Sequence, residues 1–556
     1  MGEMPEPEHG PNPIQRAVGD RAFPASLFVP ATESANSEQQ RSMNAALATV
    51  QRHHAGNTLF GADGHVAKTV LRDLGTDGYW GLLVEPVFGG GGCKLRDFMP
   101  FITRMASLEP TLAGILAVHG CIGTTNHLQA FGTQAQQAEW LPRLARGERL
   151  AAFALTEPNA GSDLTAIRTC AVREGNELVI SGEKFFITNA APGRVISLVC
   201  LLDAAPAMVV IQLPEVANEQ FQMLDYGIHA LKHTVNRGFR LRAFRVPITN
   251  LLTVPKGNGL TLAYHGLNRG RIALCANAAG TMRILLAGLI PWVQFRSTYG
   301  VPLAERDLIR RRLARLAALI VGADALVAWC ATVLDAGWRG EMECIVAKIF
   351  GSQALKEAAI ELCMKTHGGR SFLRGHRFGD HLHDYLAPSI YEGEGEILSL
   401  AFFKTLLKEV SAKFPQPSPT ETPSPPLPSL PVPLQALVDF ARAELQNTAR
   451  EISQALQKHQ QQLADQQCRM VDISQRVQKL VTILATCHYA AQTTSEIIRH
   501  AANVLCQDLR RELTGERATD AYFQLTNELG ARIAQGDFPL LEAAADELLL
   551  PYPPQA

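Results

Sequence analysis

The 556-residue sequence predicts a mainly α-helical chain with a central β-domain and an extra helical module near its C-terminal end. Three observations carry this expectation. Apolar residues recur at helical spacing on both sides of residues 151–255, and within that stretch the pattern changes to short β-branched segments. Farther along, nine of the 32 prolines crowd between Pro415 and Pro433. Such a stretch behaves as a semi-rigid spacer and sets the last 120 or so residues apart from the rest.

The expected divisions run in chain order. Residues 1–42 mix Pro, Gly, Ser, Glu and Gln and read as an irregular leader. An N-terminal helical domain takes 43–150, where Leu71, Leu74, Leu112, Ile115, Leu116 and Ile122 step by three and four. Gly89 to Gly92 interrupt it. No Lys-Ser/Thr pair follows them, so they read as a turn between helices and not as a phosphate loop. The β-domain spans 151–255. Its Val195 to Leu213 stretch is the longest apolar run, yet Asp203 and Pro206 break it into two strands. No uninterrupted run reaches the roughly 20 residues that cross a bilayer. A helical bundle domain occupies 256–412, a Pro-rich linker 413–433 and a C-terminal helical module 434–556. In that module Met470, Ile473, Val477, Leu480, Leu484 and Cys487 draw one apolar stripe, read as bundle core.

Composition narrows the function. Lys plus Arg is 52 against 53 Asp plus Glu, which excludes a strongly basic nucleic-acid binder. The near N-terminal Glu3, Glu6 and Glu8 precede no apolar segment, so neither a secretory signal nor a transit peptide is expected. Eleven scattered cysteines without a C-x-x-C read as reduced thiols, and a cytoplasmic setting is expected.

Three segments are chemically rich. Leu155-Thr156-Glu157-Pro158-Asn159-Ala160-Gly161-Ser162-Asp163 gathers hydroxyls and backbone N–H groups beside an apolar strand, suited to a polar ring edge and a pyrophosphate. A strand-end turn would look the same. In Phe185-Phe186-Ile187-Thr188-Asn189, strand alternation puts Phe186 and Thr188 on one face, where a ring could pack. A core strand is the alternative. The third comprises His367-Gly368-Gly369-Arg370 and Ile390-Tyr391-Glu392-Gly393-Glu394-Gly395-Glu396. The paired glycines permit close backbone approach, and Glu392 follows an apolar stretch just before a helix. A carboxylate in such a poorly hydrated place can serve as a general base, whereas Glu394 and Glu396 suit a helix first turn.

The order and spacing of these segments resemble the acyl-CoA dehydrogenase family over about residues 70–411. Leu155-Thr156-Glu157-Pro158, Phe186-Ile187-Thr188-Asn189, Leu267-Asn268-Arg269-Gly270-Arg271 with Ala278 to Arg283, Arg296-Ser297-Thr298-Tyr299-Gly300 and Ile390-Tyr391-Glu392-Gly393 carry the resemblance. The Pro spacer, the added module and Leu267 to Arg283 are most similar to its very-long-chain branch. The resemblance implies an N-terminal helical domain, a β-barrel-like middle domain and a C-terminal four-helix bundle. It also implies an FAD flavoprotein of fatty acid β-oxidation that converts a long-chain acyl-CoA to trans-2-enoyl-CoA, with Glu392 as catalytic base. Leu155, Thr156, Gly161, Ser162, Phe186, Ile187 and Thr188 would contact FAD. Ser162, Asn268, Arg271, Tyr391 and Gly393 would lie along the acyl-CoA. Arg296, Gly368 and Gly369 would reach the FAD of a neighbouring subunit, hence at least a homodimer. An electron-transfer flavoprotein or similar acceptor would take the electrons. Peripheral membrane contact through the C-terminal module, whose stripe is flanked by Arg469, Arg476 and Lys479, is a further expectation.

Departures from the family pattern are Lys365, Asp307, His383, Glu394 and Glu396. A compensating ion pair of Lys365 with Glu394 or Asp307 is expected. His367, His376, His381 and His383 with Asp380 and Asp384 do not have a zinc-module spacing, and no metal is expected. An acyl-CoA oxidase using O2 and a non-catalytic flavoprotein scaffold are the alternatives.

Overall fold

The computed structural model describes residues 12–19, 23–32, 34–412, 429–459, 463 and 465–541. In chain order its first helices are α1 (Pro13–Gly19), α2 (Ser37–Ala55), α3 (Lys68–Thr76), α4 (Leu95–Ala106), α5 (Pro110–Ala117), α6 (Thr124–Phe131) and α7 (Gln134–Ala145). Eight strands follow: β1 (Ala151–Ala154), β2 (Cys170–Glu174), β3 (Glu177–Thr188), β4 (Val195–Leu202), β5 (Ala205–Gln212), β6 (Phe221–Leu224), β7 (Asn236–Pro247) and β8 (Leu251–Leu252). Then come α8 (Gly259–Phe295), α9 (Asp307–Asp335) and α10 (Glu341–Lys356), and helices Gly395–Ala412, Val432–His459, Gln467–Ala491, Glu496–Thr514 and Asp520–Ala534. The described chain forms two compact units, one of residues 34–274 and one of 12–32 with 275–541.

In the first unit the strands form one sheet ordered β6-β7-β3-β2-β4-β5-β8, with β1 pairing β4. β1 and β2 run parallel to β4, and the other pairings are antiparallel. β4 reads as a continuous apolar run because both of its faces are covered. Ile196, Leu198, Cys200 and Leu202 enter one core with Ile180, Ile211, Phe239 and Leu241. Val195 and Val199 enter a second core with Trp140, Leu141 and Leu144 of α7. The expected break at Asp203 is the β4–β5 turn. The glycines 89–92 do form the connection into α4, with Gly89 and Gly92 at positive φ.

Helix starts in this unit follow cap chemistry. Asn36 accepts from the N–H groups of Glu38 and Gln39 at 3.0 Å, and the Gln39 side chain accepts from the Asn36 N–H at 2.9 Å. This capping box starts α2 at Ser37, before the boundary expected at residue 43.

The second unit corrects the irregular leader. Residues 1–11 lie outside the described residues, but Pro13–Gly19 is helical and buries Ile14, Ala17 and Val18. A seven-residue helix is too short for periodicity to reveal, while Pro13 at its first position suits a helix start. Ile14 N–H donates to Glu343 Oε1 at 3.0 Å, Trp329 Nε1 donates to Leu27 O at 2.8 Å, and Phe28 stacks on Trp329. The leader is part of this unit's core.

Windows within α8 and α9 have mean hydropathy 1.6 and 2.0, so among the described residues two helices are long and apolar enough to cross a membrane. That corrects the expectation drawn from uninterrupted runs. These windows are 94% and 89% buried within the protein, as core helices are. α8 and α9 share a buried ion pair, Arg283 to Asp324 at 2.6 Å.

The helices expected as a separate module belong to the same compact unit as residues 275–412. Most of the Pro-rich linker, 413–428, lies outside the described residues, and Val432–His459 starts just within the expected linker. Every member of the Met470-to-Cys487 stripe is buried. Ser474 Oγ donates to Ser399 O at 2.8 Å and Gln478 Nε2 donates to Ser399 Oγ at 3.1 Å, tying this helix to Gly395–Ala412. Gly530 lets its helix approach α9 closely, since a Cβ there would meet Arg310 O at 2.1 Å. Arg476 pairs with Glu451 and Asp472, and Lys479 with Glu512. The stripe is therefore interior, while Arg476 and Lys479 are half-exposed and ion-paired. All eleven cysteines are unbridged, with Cys170 and Cys468 exposed and the rest buried.

Candidate active site

In the first unit, the 155–163 segment leaves β1 and folds into a tight turn. Glu157 and Ala160 exchange backbone hydrogen bonds at 3.0 and 3.1 Å. The Glu157 side chain turns inward, where Oε2 accepts from the Arg168 N–H at 2.7 Å and Oε1 from the Thr169 N–H at 3.1 Å. Lys184 of β3, wholly buried, donates from Nζ to Glu157 Oε1 and to Leu155 O, both at 2.8 Å. Phe185 N–H donates to Thr156 O at 3.0 Å. Two segments separate in sequence are thus bound side by side. Burial pushes the Glu157 pKa up, but Lys184 and these hydrogen bonds outweigh it and the net shift is downward. Burial pulls Lys184 down against the attraction of Glu157.

The rest of this surface is open. Gly161 and Ser162 are exposed, a Cβ on Gly161 would meet nothing within 4 Å, and Leu155 and Thr156 are half-buried. Asp163 Oδ1 accepts from the Thr165 N–H and hydroxyl at 2.9 and 2.6 Å, which lowers its pKa and fixes the loop exit.

Simple alternation does not hold at Phe186. The β3–β7 register shifts between Lys184 and Ile187, and Phe186 has φ +56°. This bulge leaves Phe186 60% exposed, while Ile187 is buried in the sheet core and can offer a ligand only its backbone. A network nevertheless links Phe186 to Thr188. Phe186 N–H donates to Tyr226 Oη at 2.5 Å, Tyr226 Oη donates to Asn236 Oδ1 at 3.4 Å, and Asn236 Nδ2 donates to Thr188 Oγ1 at 3.1 Å. The Tyr226 ring stacks on Phe185 with centroids 5.6 Å apart. On α8, Arg271 Nη1 donates to Asn268 Oδ1 at 3.0 Å, and both residues are buried.

In the second unit, Glu392 stands between the turn Ala387–Ser389 and helix Gly395–Ala412. Glu392 has φ +56° and Gly393 φ +106°. A Cβ on Gly393 would come within 2.6 Å of Leu398 Cδ2. Glu394 is the helix cap, Oε2 accepting from the N–H groups of Glu396 and Ile397 at 2.9 and 3.1 Å. Glu392 is partly exposed as a residue, yet its Oε2 is shielded from solvent. Tyr391 keeps 36% of its surface exposed, while burial of its phenol and the charges of Glu392 and Asp384 raise its pKa. Lys348 of α10, fully buried, donates from Nζ to Gly393 O.

Arg296, Gly368 and Gly369 are exposed around one aromatic cluster. Arg296 N–H donates to Trp292 O at 2.9 Å, Trp292 stacks on His367 at 5.2 Å, and the Arg370 guanidinium lies 5.2 Å over the Trp292 ring. Burial holds the His367 pKa down at about 3, so this imidazole is neutral. A Cβ on Gly368 or Gly369 would meet nothing within 4 Å. The ion pair expected for Lys365 is corrected: its partner is Glu361, one turn earlier, and neither Glu394 nor Asp307. Among the described residues no group of three His, Cys, Asp or Glu could hold a metal ion. His381 pairs with Asp384 at 2.9 Å.

Sequence reasoning missed Lys184, Tyr226, Asn236 and Lys348. Lys184 shares the inward phase of Leu178 and Ile180, and Lys348 interrupts Cys344-Ile345-Val346-Ala347. A lysine at a core-facing position signals a buried partner. No comparable signal marks Tyr226 or Asn236.

An exposed aromatic ring beside a hydroxyl, with an open glycine nearby, fits a flat heteroaromatic cofactor. Comparison with known proteins agrees. Residues 36–148, 152–234 and 257–407 match the N-terminal, middle and C-terminal domains of acyl-CoA dehydrogenases. An acyl-CoA dehydrogenase of Bacillus subtilis (strain 168) is 29% identical over 349 residues, 61% of this chain and 89% of that protein. The bovine mitochondrial very long-chain specific acyl-CoA dehydrogenase is 30% identical over 346 residues, 60% of this chain and 52% of that one. The Bacillus anthracis acyl-CoA dehydrogenase complexed with FAD has the same fold, with TM-score 0.76 at 22% identity over 94% of this chain and 98% of that one. That likeness extends beyond the matched domains into the helices after residue 432. The chain belongs to the acyl-CoA dehydrogenase family of FAD-dependent oxidoreductases.

Proposed function

We propose that the protein dehydrogenates long-chain acyl-CoA between Cα and Cβ, giving trans-2-enoyl-CoA, with Glu392 as the base. The observation that carries this reading is the carboxylate of Glu392, which has one oxygen shielded from water and sits in a strained turn. Desolvation favours a carboxylate that takes up a proton near neutral pH. Left-handed backbone at a non-glycine residue is costly and persists where the surroundings impose it. The match to a very long-chain specific enzyme supports the long-chain preference.

Leu155, Thr156, Gly161, Ser162, Phe186, the Ile187 backbone and Thr188 would hold FAD. Arg296, Gly368 and Gly369 would serve the pyrophosphate and adenosine of FAD in a second copy. FAD, when bound, accepts the β-hydrogen with its electron pair. Glu392 takes the α-proton, so the thioester loses one proton and one hydride and gains a C=C bond. The Glu392 N–H donates toward the thioester oxygen as negative charge develops there. Asn268, Arg271, Ser162, Tyr391 and Gly393 would line the acyl-CoA. The electrons leave to an electron-transfer flavoprotein.

Anaerobic titration of the yellow protein with acyl-CoAs from butyryl to eicosanoyl tests this. Bleaching of the flavin that is strongest for the long chains is expected. Bleaching by short chains alone overturns the preference, and absence of bleaching with every thioester overturns the dehydrogenation.

A further inference from the structure

We propose that Lys348 is a positioning residue for Glu392: by holding the Gly393 carbonyl it fixes the left-handed turn that aims both the Glu392 carboxylate and the Glu392 N–H. The inference rests on the reading of Glu392 as the base.

Lys348 lies on α10 with no exposed surface, and its Nζ donates to Gly393 O. A buried ammonium is retained only where hydrogen bonds and charge compensate its lost hydration. That demand makes the lysine a rigid anchor. The residues it anchors are the two with positive φ, Glu392 and Gly393. The 393–394 peptide that carries this carbonyl is one residue removed from Glu392, so anchoring it restricts the torsions through which the Glu392–Gly393 turn could relax. Leu398 confines Gly393 on its other side. The turn is thus gripped at its carbonyl by a cation and at its Cα by a leucine.

The test uses the FAD-loaded full chain and single-turnover flavin reduction by a long-chain acyl-CoA. Lys348→Met should slow reduction at saturating substrate by about 100-fold, as a small misplacement of a reacting group does. FAD content and apparent substrate affinity should stay near wild type, and Lys348→Arg should recover part of the rate. Should the methionine variant fail to fold, Lys348→Gln, whose shorter side chain holds the carbonyl less firmly, should lose rate in the same way with FAD still bound. A wild-type rate in the folded neutral variant overturns the proposal, as does a rate loss matched by loss of FAD. Glu392→Gln is run alongside: if it still reduces flavin at the wild-type rate, the base assignment fails, whatever Lys348 does.

Discussion

Two buried lysines make the instructive comparison. Lys184, in the first unit, grips the 155–163 segment through Leu155 O and Glu157; Lys348, in the second, grips the 392–393 turn through Gly393 O. Both are inaccessible to solvent and both hold a backbone carbonyl next to residues of the candidate site. They differ in the carboxylate of the segment they hold. Glu157 is saturated by Lys184 and two backbone N–H groups and is committed to structure. Glu392, as the proposed base, would have to keep its carboxylate available for a proton. On that proposal the same device would serve stability in one place and chemistry in the other.

The sharpest break with that account would come from stability. Lys184→Met strands Glu157 in the interior and should cost about 3–5 kcal/mol in urea unfolding. Lys348→Met should cost clearly less. Equal losses would mean that both lysines are structural.

Next in size is an acid response of the first unit. Burial lowers the pKa of His119 and of His127 to about 3. Their folded pKa is depressed, so the stability they contribute is present above their ordinary value of about 6.5 and is lost as pH falls toward about 3. Hydrogen exchange in α6 and β1 should accelerate over that window. His127→Gln should blunt the change.

The second unit should answer in the opposite sense at Glu343, which burial raises to about 7. A raised folded pKa gives stability that is full below about 4.5 and lost as pH rises through about 7. Because ionised Glu343 is a buried charge, protection of the α10 amides around it should weaken above neutrality, and Glu343→Gln should flatten that dependence. The smallest effect concerns neither lysine. Asn36→Ala removes the α2 cap and should lower stability by about 1 kcal/mol, read in urea.

The strand and helix pattern was legible because alternation and helical spacing are imposed by burial over many residues. α1 was not, since seven residues carry barely two turns. Within the site, Glu392, Phe186 and the glycines stood out through their motifs. The bulge at Phe186 could not be read, because register shifts arise from the pairing of β3 with β7, a partner distant in sequence. The supports were hidden for the same reason: Lys184 and Lys348 look misplaced in apolar segments until the carbonyls they meet, 29 and 45 residues away, are known.

The most direct test of the central claim is anaerobic stopped-flow bleaching of the FAD-loaded protein by a long-chain acyl-CoA, comparing wild type with Glu392→Gln. The account predicts that the substitution leaves FAD bound and slows bleaching by about 10⁴-fold, the scale of a lost general base. Bleaching within about tenfold of wild type, well short of the loss expected for such a base, would contradict it.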